Sequence, residues 1–154
     1  MSKKLTKVLD FVRKIAHVPG AGTDASAPRT VLVVDDEEPI RKFVARVLRE
    51  EGWQTVTARD GAEAVAVAAT LEHLDLLVTD LMMPVMNGDE LARQLLATER
   101  DLPVLYLTGF SDKLFADRML LGEHEAFLDK PCSVKGLLEA VAVILHQPLA
   151  ASAV

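Results

Sequence analysis

Two hydrophobic periods alternate along the chain from residue 30 onward. Val31-Leu32-Val33-Val34 is an unbroken, largely β-branched apolar run, as expected of a parallel strand buried on both faces. After it, Ile40, Phe43, Val44, Val47 and Leu48 recur at three- and four-residue steps. That spacing predicts a helix over 39–51, stopped by Gly52. The two patterns then repeat. Further strands are predicted over 53–58, 74–79 (ending in Asp80), 103–107 and 126–128. Further helices are predicted over 61–71 with Asp60 as N-cap, from Asn87 or Gly88 to 97, over 111–121 between Ser111 and Gly122, and over 133–146. Strict β–α alternation with short links predicts an α/β domain. Its architecture is a flavodoxin-like, doubly wound, five-stranded parallel sheet in the order 2-1-3-4-5.

Upstream of this body the pattern differs. Leu5, Val8, Leu9, Val12, Ile15 and Ala16 form one apolar stripe, which predicts an extra N-terminal amphipathic helix over 1–17. So short a helix is marginal alone and must dock on something or fray. Residues 18–29, rich in Gly, Ala, Ser and Pro, read as a flexible linker. The domain proper is expected over 30–147, with a disordered tail over 148–154. So short a tail leaves no room for an output domain, and Met1 favours a complete single-domain chain over a fragment of a longer one.

Charge narrows the partners. The formal net charge is −6. Residues 1–29 hold six Lys/Arg against two Asp, whereas 30–154 hold eleven against twenty-one Asp/Glu. A body this acidic repels nucleic acid. The basic N-terminal segment reads first as a solvated helix face, with contact to an acidic surface as the alternative. No apolar run approaches the ~18 residues of a membrane span, and the N-terminus lacks the continuous apolar stretch of a secretory signal. No membrane insertion is expected. A single cysteine, Cys132, excludes an internal disulfide and fits a cytoplasmic location. It reads as a small buried hydrophobe, with redox sensing the lesser alternative.

The chemistry lies at the strand ends. In a doubly wound sheet the site sits beyond the carboxyl ends of the strands, beside the switch point. Strand one ends in Asp35-Asp36, followed by Glu37-Glu38. Strand three ends in Asp80, strand four in Thr108, and strand five is followed by Lys130-Pro131. In the predicted order these ends converge. Three carboxylates a few Å apart disfavour joint ionisation, so positive charge must share the pocket. A hard divalent cation suits all-oxygen ligands, and Lys130 adds a point charge. Such a cluster can hold a phosphoryl group, and a carboxylate is a competent nucleophile toward one. The plainer alternative for Asp36 is a cap on the first helix. His17, His73, His124 and His146 lack metal-ligand spacing and read as surface residues, and Trp53 reads as packing.

Four stretches carry a family resemblance: Val31 to Glu37 (VLVVDDE), Asp80 to Gly88 (DLMMPVMNG), Leu107-Thr108-Gly109, and Phe127 to Pro131 (FLDKP). Over residues 29 to 147 the chain resembles the receiver (response-regulator) domain family of two-component signalling. The resemblance implies Asp80 as phosphoacceptor. It implies Mg²⁺, with Mn²⁺ as a substitute, held by Asp36 directly, Asp35 through water, Asp80 and the backbone carbonyl of Met82. Lys130 and Thr108 would then bind the phosphoryl group, and Phe127 would be the switch aromatic. The Lys130-Pro131 bond is expected to be cis. The donor implied is a histidine kinase or histidine phosphotransfer protein, in a phosphorelay or response-regulator role. A downstream protein target would read the face of the predicted helix over 111–121, strand five and the last helix, and a homodimer is left open. No catalysis is implied beyond the chain's own phosphorylation and dephosphorylation. Met82 and Phe110, flanking the path of an attacking water, have no side chain that orients it, which predicts slow self-dephosphorylation. Residues 105–109 and 121–126 look more like receivers of hybrid sensor kinases than like those of transcription factors. Two other readings stand beside this one. In one the fold is an unphosphorylated protein-interaction module. In the other it is a Mg²⁺-dependent phosphohydrolase, disfavoured because strand one does not end in an Asp-x-Asp arrangement.

Overall fold

β1 (Thr30–Val34) is buried at every position, as are β3 (Leu76–Asp80) and β4 (Val104–Thr108). The computed structural model describes residues 28–109, 112, 116–117 and 121–152. The N-terminal helix predicted over 1–17, most of the linker, Phe110 and most of the helix predicted over 111–121 lie outside the described residues. β2 (Gln54–Ala58) and β5 (Glu125–Asp129) complete one five-stranded sheet in the order β2-β1-β3-β4-β5, every pair parallel. The order read from alternation alone is the observed one.

Side chains of the strands sort by parity onto two faces, because successive Cβ atoms point to opposite sides of a sheet. Leu32, Val34, Leu77 and Tyr106 face α2 (Gly61–Ala68) and α3 (Gly88–Leu96), packing with Ala64, Leu91 and Leu95. Val31, Val33, Leu76, Val78, Leu105 and Leu107 face α1 (Glu38–Glu50) and α4 (Val134–Ser152), packing with Val44, Leu48, Leu137 and Val141. Each fully buried Leu or Val contributes about 1.5–3 kcal/mol relative to exposure. These two layers therefore fix the register of the central strands.

The helix ends follow local chemistry. Asp60 caps α2, its Oδ1 accepting from the Glu63 N–H at 2.8 Å. α1 ends in a Schellman turn. Gly52, at φ +97°, donates to the Arg49 carbonyl and Trp53 to the Leu48 carbonyl, while Trp53 packs with the Leu48 cluster. Trp53 is thus a packing residue. Asp36 does not cap α1: Glu37 holds that position without a side-chain bond, and Pro39 lies in the first turn. α4 runs to Ser152, through residues 148–152 expected as tail, where Leu149-Ala150-Ala151 are good helix formers.

Candidate functional site

Parallel pairing aligns the strand ends that carry the polar residues. Beyond β1, the Asp35 N–H donates to the Ala58 carbonyl at 3.3 Å. Beyond β5, the Lys130 N–H donates to the Thr108 carbonyl at 2.8 Å. The ladders thus continue one step into the site and hold Asp35, Asp80, Thr108 and Lys130 at one edge of the sheet. Asp35 is fully buried, Asp80 is 3% exposed, and Asp36 faces solvent. Each offers a carboxylate oxygen, and the three oxygens lie within 4.8 Å of one another.

Lys130 binds this cluster together. Its Nζ is 2.9 Å from Asp35 Oδ2, 3.2 Å from Asp80 Oδ1 and 3.9 Å from Glu37 Oε1. The Lys130-Pro131 peptide bond is cis. Burial works against the ammonium, but Asp35 and Asp80 outweigh it and raise its pKa. The carboxylates move the other way. Burial, then the neighbouring Asp35 charge, pushes Asp80 up to about 7 despite Lys130. Burial likewise raises Asp35, more than Lys130 and the Glu37 N–H bond lower it. One ammonium thus leaves the acidic set under-neutralised.

The donor set fits a hard divalent cation. Asp35 Oδ2 is buried and pairs with the Lys130 ammonium at 2.9 Å. Its companion Oδ1 is fixed by the Glu37 N–H at 2.8 Å, and the Asp35 carbonyl is held by Arg41 at 2.7 Å. A buried, oriented carboxylate beside two further carboxylates, with one ammonium shared among them, is the arrangement that binding a small divalent ion would neutralise.

The loop after Asp80 doubles back under tight constraints. The Gly88 N–H donates to the Leu81 carbonyl at 2.8 Å, and a Cβ on Gly88 would collide with the Asp80 carbonyl. Glycine is required there by close backbone approach. Asn87 Oδ1 reaches back to the Met83 N–H at 3.4 Å. Met83 and Met86 pack on the core, whereas Met82 is 40% exposed. Val85 is fully exposed at φ +70°, a left-handed conformation costly for a β-branched residue.

Thr108 and Phe127 make their contacts with residues outside the three-carboxylate cluster. The Thr108 hydroxyl donates to Asp129 Oδ1 at 3.0 Å, and the two residues face each other across β4 and β5. Phe127 packs on the first core layer, its ring 5.7 Å from that of Tyr106 and tilted by 52°. Burial, then Glu125, raises the Tyr106 pKa, so the phenol stays protonated. Asp129 and Arg41 hold the site together, yet the sequence marks neither. Only the parallel register of Thr108 with Asp129 could have singled out the first. His124 is corrected from surface to mostly buried, with Nδ1 unpartnered and Nε2 3.9 Å from Asp101. Cys132 is half-buried against the second layer, and burial raises its thiol pKa, so it serves as packing. Among the described residues no helix is long and apolar enough to cross a membrane.

Known proteins resemble this chain in sequence and fold. The transcriptional regulatory protein PdtaR of Mycobacterium tuberculosis is 39% identical over 124 residues, 80% of this chain and 60% of that protein. The sensor kinase CckA of Brucella abortus is 33% identical over 126 residues, 81% of this chain but 13% of that protein. The chain therefore spans 60% of the one relative's length and 13% of the other's. The solved structure of the chemotaxis response regulator CheY4 of Vibrio cholerae superposes with a TM-score of 0.66. The match is 30% identical and covers 77% of this chain and 99% of that one. Residues 31–142 match the response regulator receiver domain, and with the sheet order and acidic strand ends described above the chain belongs to that family.

Proposed function

We propose that this receiver accepts a phosphoryl group on Asp80 from a phosphohistidine and changes partner binding in response. The observation that carries the reading is the three-carboxylate cluster, within 4.8 Å, with the Lys130 ammonium 3.2 Å from Asp80. An Asp80 carboxylate oxygen attacks phosphorus, the P–O bond forms as the P–N bond breaks, and the imidazole leaves. Asp35, Asp36, Asp80 and the Met82 carbonyl would hold a Mg²⁺ ion, which would supply charge neutralisation for the transferring group. Lys130 pairs with a phosphoryl oxygen, exchanging part of its contact with Asp80 for it. Thr108 leaves Asp129 and donates its hydroxyl to another phosphoryl oxygen. Phe127 then turns toward the space Thr108 vacates, and the adjoining surface of β5 and α4 changes shape. The donor is a histidine kinase or histidine phosphotransfer protein, and the reader is a protein target.

The test is incubation with acetyl phosphate and Mg²⁺, followed by intact mass measurement. A gain of one phosphoryl that disappears in Asp80→Asn and without metal supports the proposal. No gain identifies an unphosphorylated interaction module. Steady turnover of a phosphoester identifies a phosphohydrolase.

A further inference from the structure

A second feature lies at the opposite, N-terminal end of the strands. A groove of about 260 Å³ opens between α2 and α3, with Val65, Ala68, Leu71 and Leu95 on its apolar floor and Gln94 and Glu99 on its rim. It is smaller than the ~300–1,000 Å³ of a drug-sized ligand site. Its form suits a few inserted side chains rather than an enclosed small molecule.

We propose that the groove is the docking site of this chain's own amphipathic segment, residues 1–17. Three observations select that occupant. The segment's stripe of Leu5, Val8, Leu9, Val12 and Ile15 is apolar and needs cover. Its charge suits the rim: residues 1–17 hold five Lys/Arg against one Asp, and the groove is lined by the acidic Glu99 and by no Lys or Arg. The tether also starts beside the groove. The Thr30 N–H donates to Asp75 Oδ2 at 2.7 Å and the Asp75 N–H to the Thr30 carbonyl at 2.9 Å, while His73 and Leu74 line the groove. The twelve residues 18–29 span at most about 40 Å, ample for so near a target. A tether this short gives an effective concentration of about 1 mM, so even a contact with Kd near 0.1 mM is formed about nine times in ten.

The test compares the full-length chain with Leu9→Asp/Val12→Asp, which spoils the stripe without touching the body. Amide shifts should differ at Ala68, Ala69, Leu71, Thr98 and Glu99, and independently of protein concentration. Hydrogen exchange of amides in residues 5–16 should be slower by roughly tenfold in the unmodified chain. Ala69→Arg, a change at an exposed rim position, should remove that protection while leaving the melting of the body unchanged. Shift changes elsewhere in the body overturn the proposal, as does an absence of protection in the unmodified chain. Changes that grow with concentration point to a second copy, and protection that appears only on anionic lipid vesicles points to a membrane surface. Either result also overturns it.

Discussion

Asp80→Asn should stabilise the metal-free protein at neutral and alkaline pH. Ionised Asp80 stands in a buried cluster with Asp35, and that environment raises its pKa from the ordinary 3.8 to about 7. The folded state then binds the Asp80 proton more tightly than the unfolded state does. This contribution favours folding below pH 4, is lost progressively as pH rises from about 4 to 7, and stays lost above that. Across this window the cost amounts to about 4 kcal/mol as a ceiling. Titration shared with Asp35 reduces it to about 1–3 kcal/mol. Asparagine is close in shape to the protonated acid and keeps a polar group toward Lys130, so most of that cost should vanish in the variant. Urea denaturation in chelator at pH 8 should place Asp80→Asn about 1–3 kcal/mol above the unmodified protein. The gap should shrink toward pH 4. It should also narrow when Mg²⁺ is added, because a cation that binds only the folded form stabilises it. If Asp80→Asn is no more stable at pH 8 in chelator, or if the gap does not depend on pH, the account of repulsion in the cluster is wrong.

Other consequences are more local. Val85→Asn should raise the urea midpoint by about 1 kcal/mol in stability, because Asn tolerates the left-handed backbone that Val85 adopts at φ +70°. Val85→Ile, which keeps the β-branch, should give no gain. Gly88→Ala should destabilise by roughly 2 kcal/mol or more and blunt acetyl phosphate labelling of Asp80, since the new methyl meets the Asp80 carbonyl. Normal labelling in Gly88→Ala would refute that link. Asp60→Ala should cost about 1 kcal/mol in a denaturation series through loss of the α2 cap, with Asp60→Asn nearly neutral.

Much of the fold was legible because its signals are local. The run Val31 to Val34 is apolar on both parities, which only a strand covered on two sides tolerates, and Gly52 and Asp60 carry the turn and cap chemistry on their own. Strand order followed from matching strict alternation to the doubly wound arrangement, and the gathering of Asp35, Asp80, Thr108 and Lys130 followed from the order. What stayed hidden depends on contacts across the sheet. The Thr108–Asp129 hydrogen bond needs the register of two strands 21 residues apart. The burial of His124 depends on how the approach to β5 folds, which no period in the sequence encodes. Asp36 looked like a cap because of its place before a helix, yet the chain turns so that Asp35 takes the Glu37 N–H instead. The strain at Val85 is invisible in a sequence, where valine signals a strand.

The sheet order has one further consequence. β5 is an edge strand, as β2 is, laddered to β4 alone and only half-covered along its length, unlike the enclosed β1, β3 and β4. The strand that leads into the ammonium of the acidic cluster is thus held by the sheet on one side only. A change of charge at Asp80 pulls on Lys130, 3.2 Å away, and through it on this margin rather than on the two packed layers. The molecule keeps a fully enclosed strand end and a one-sided margin within one ion-pair length of each other.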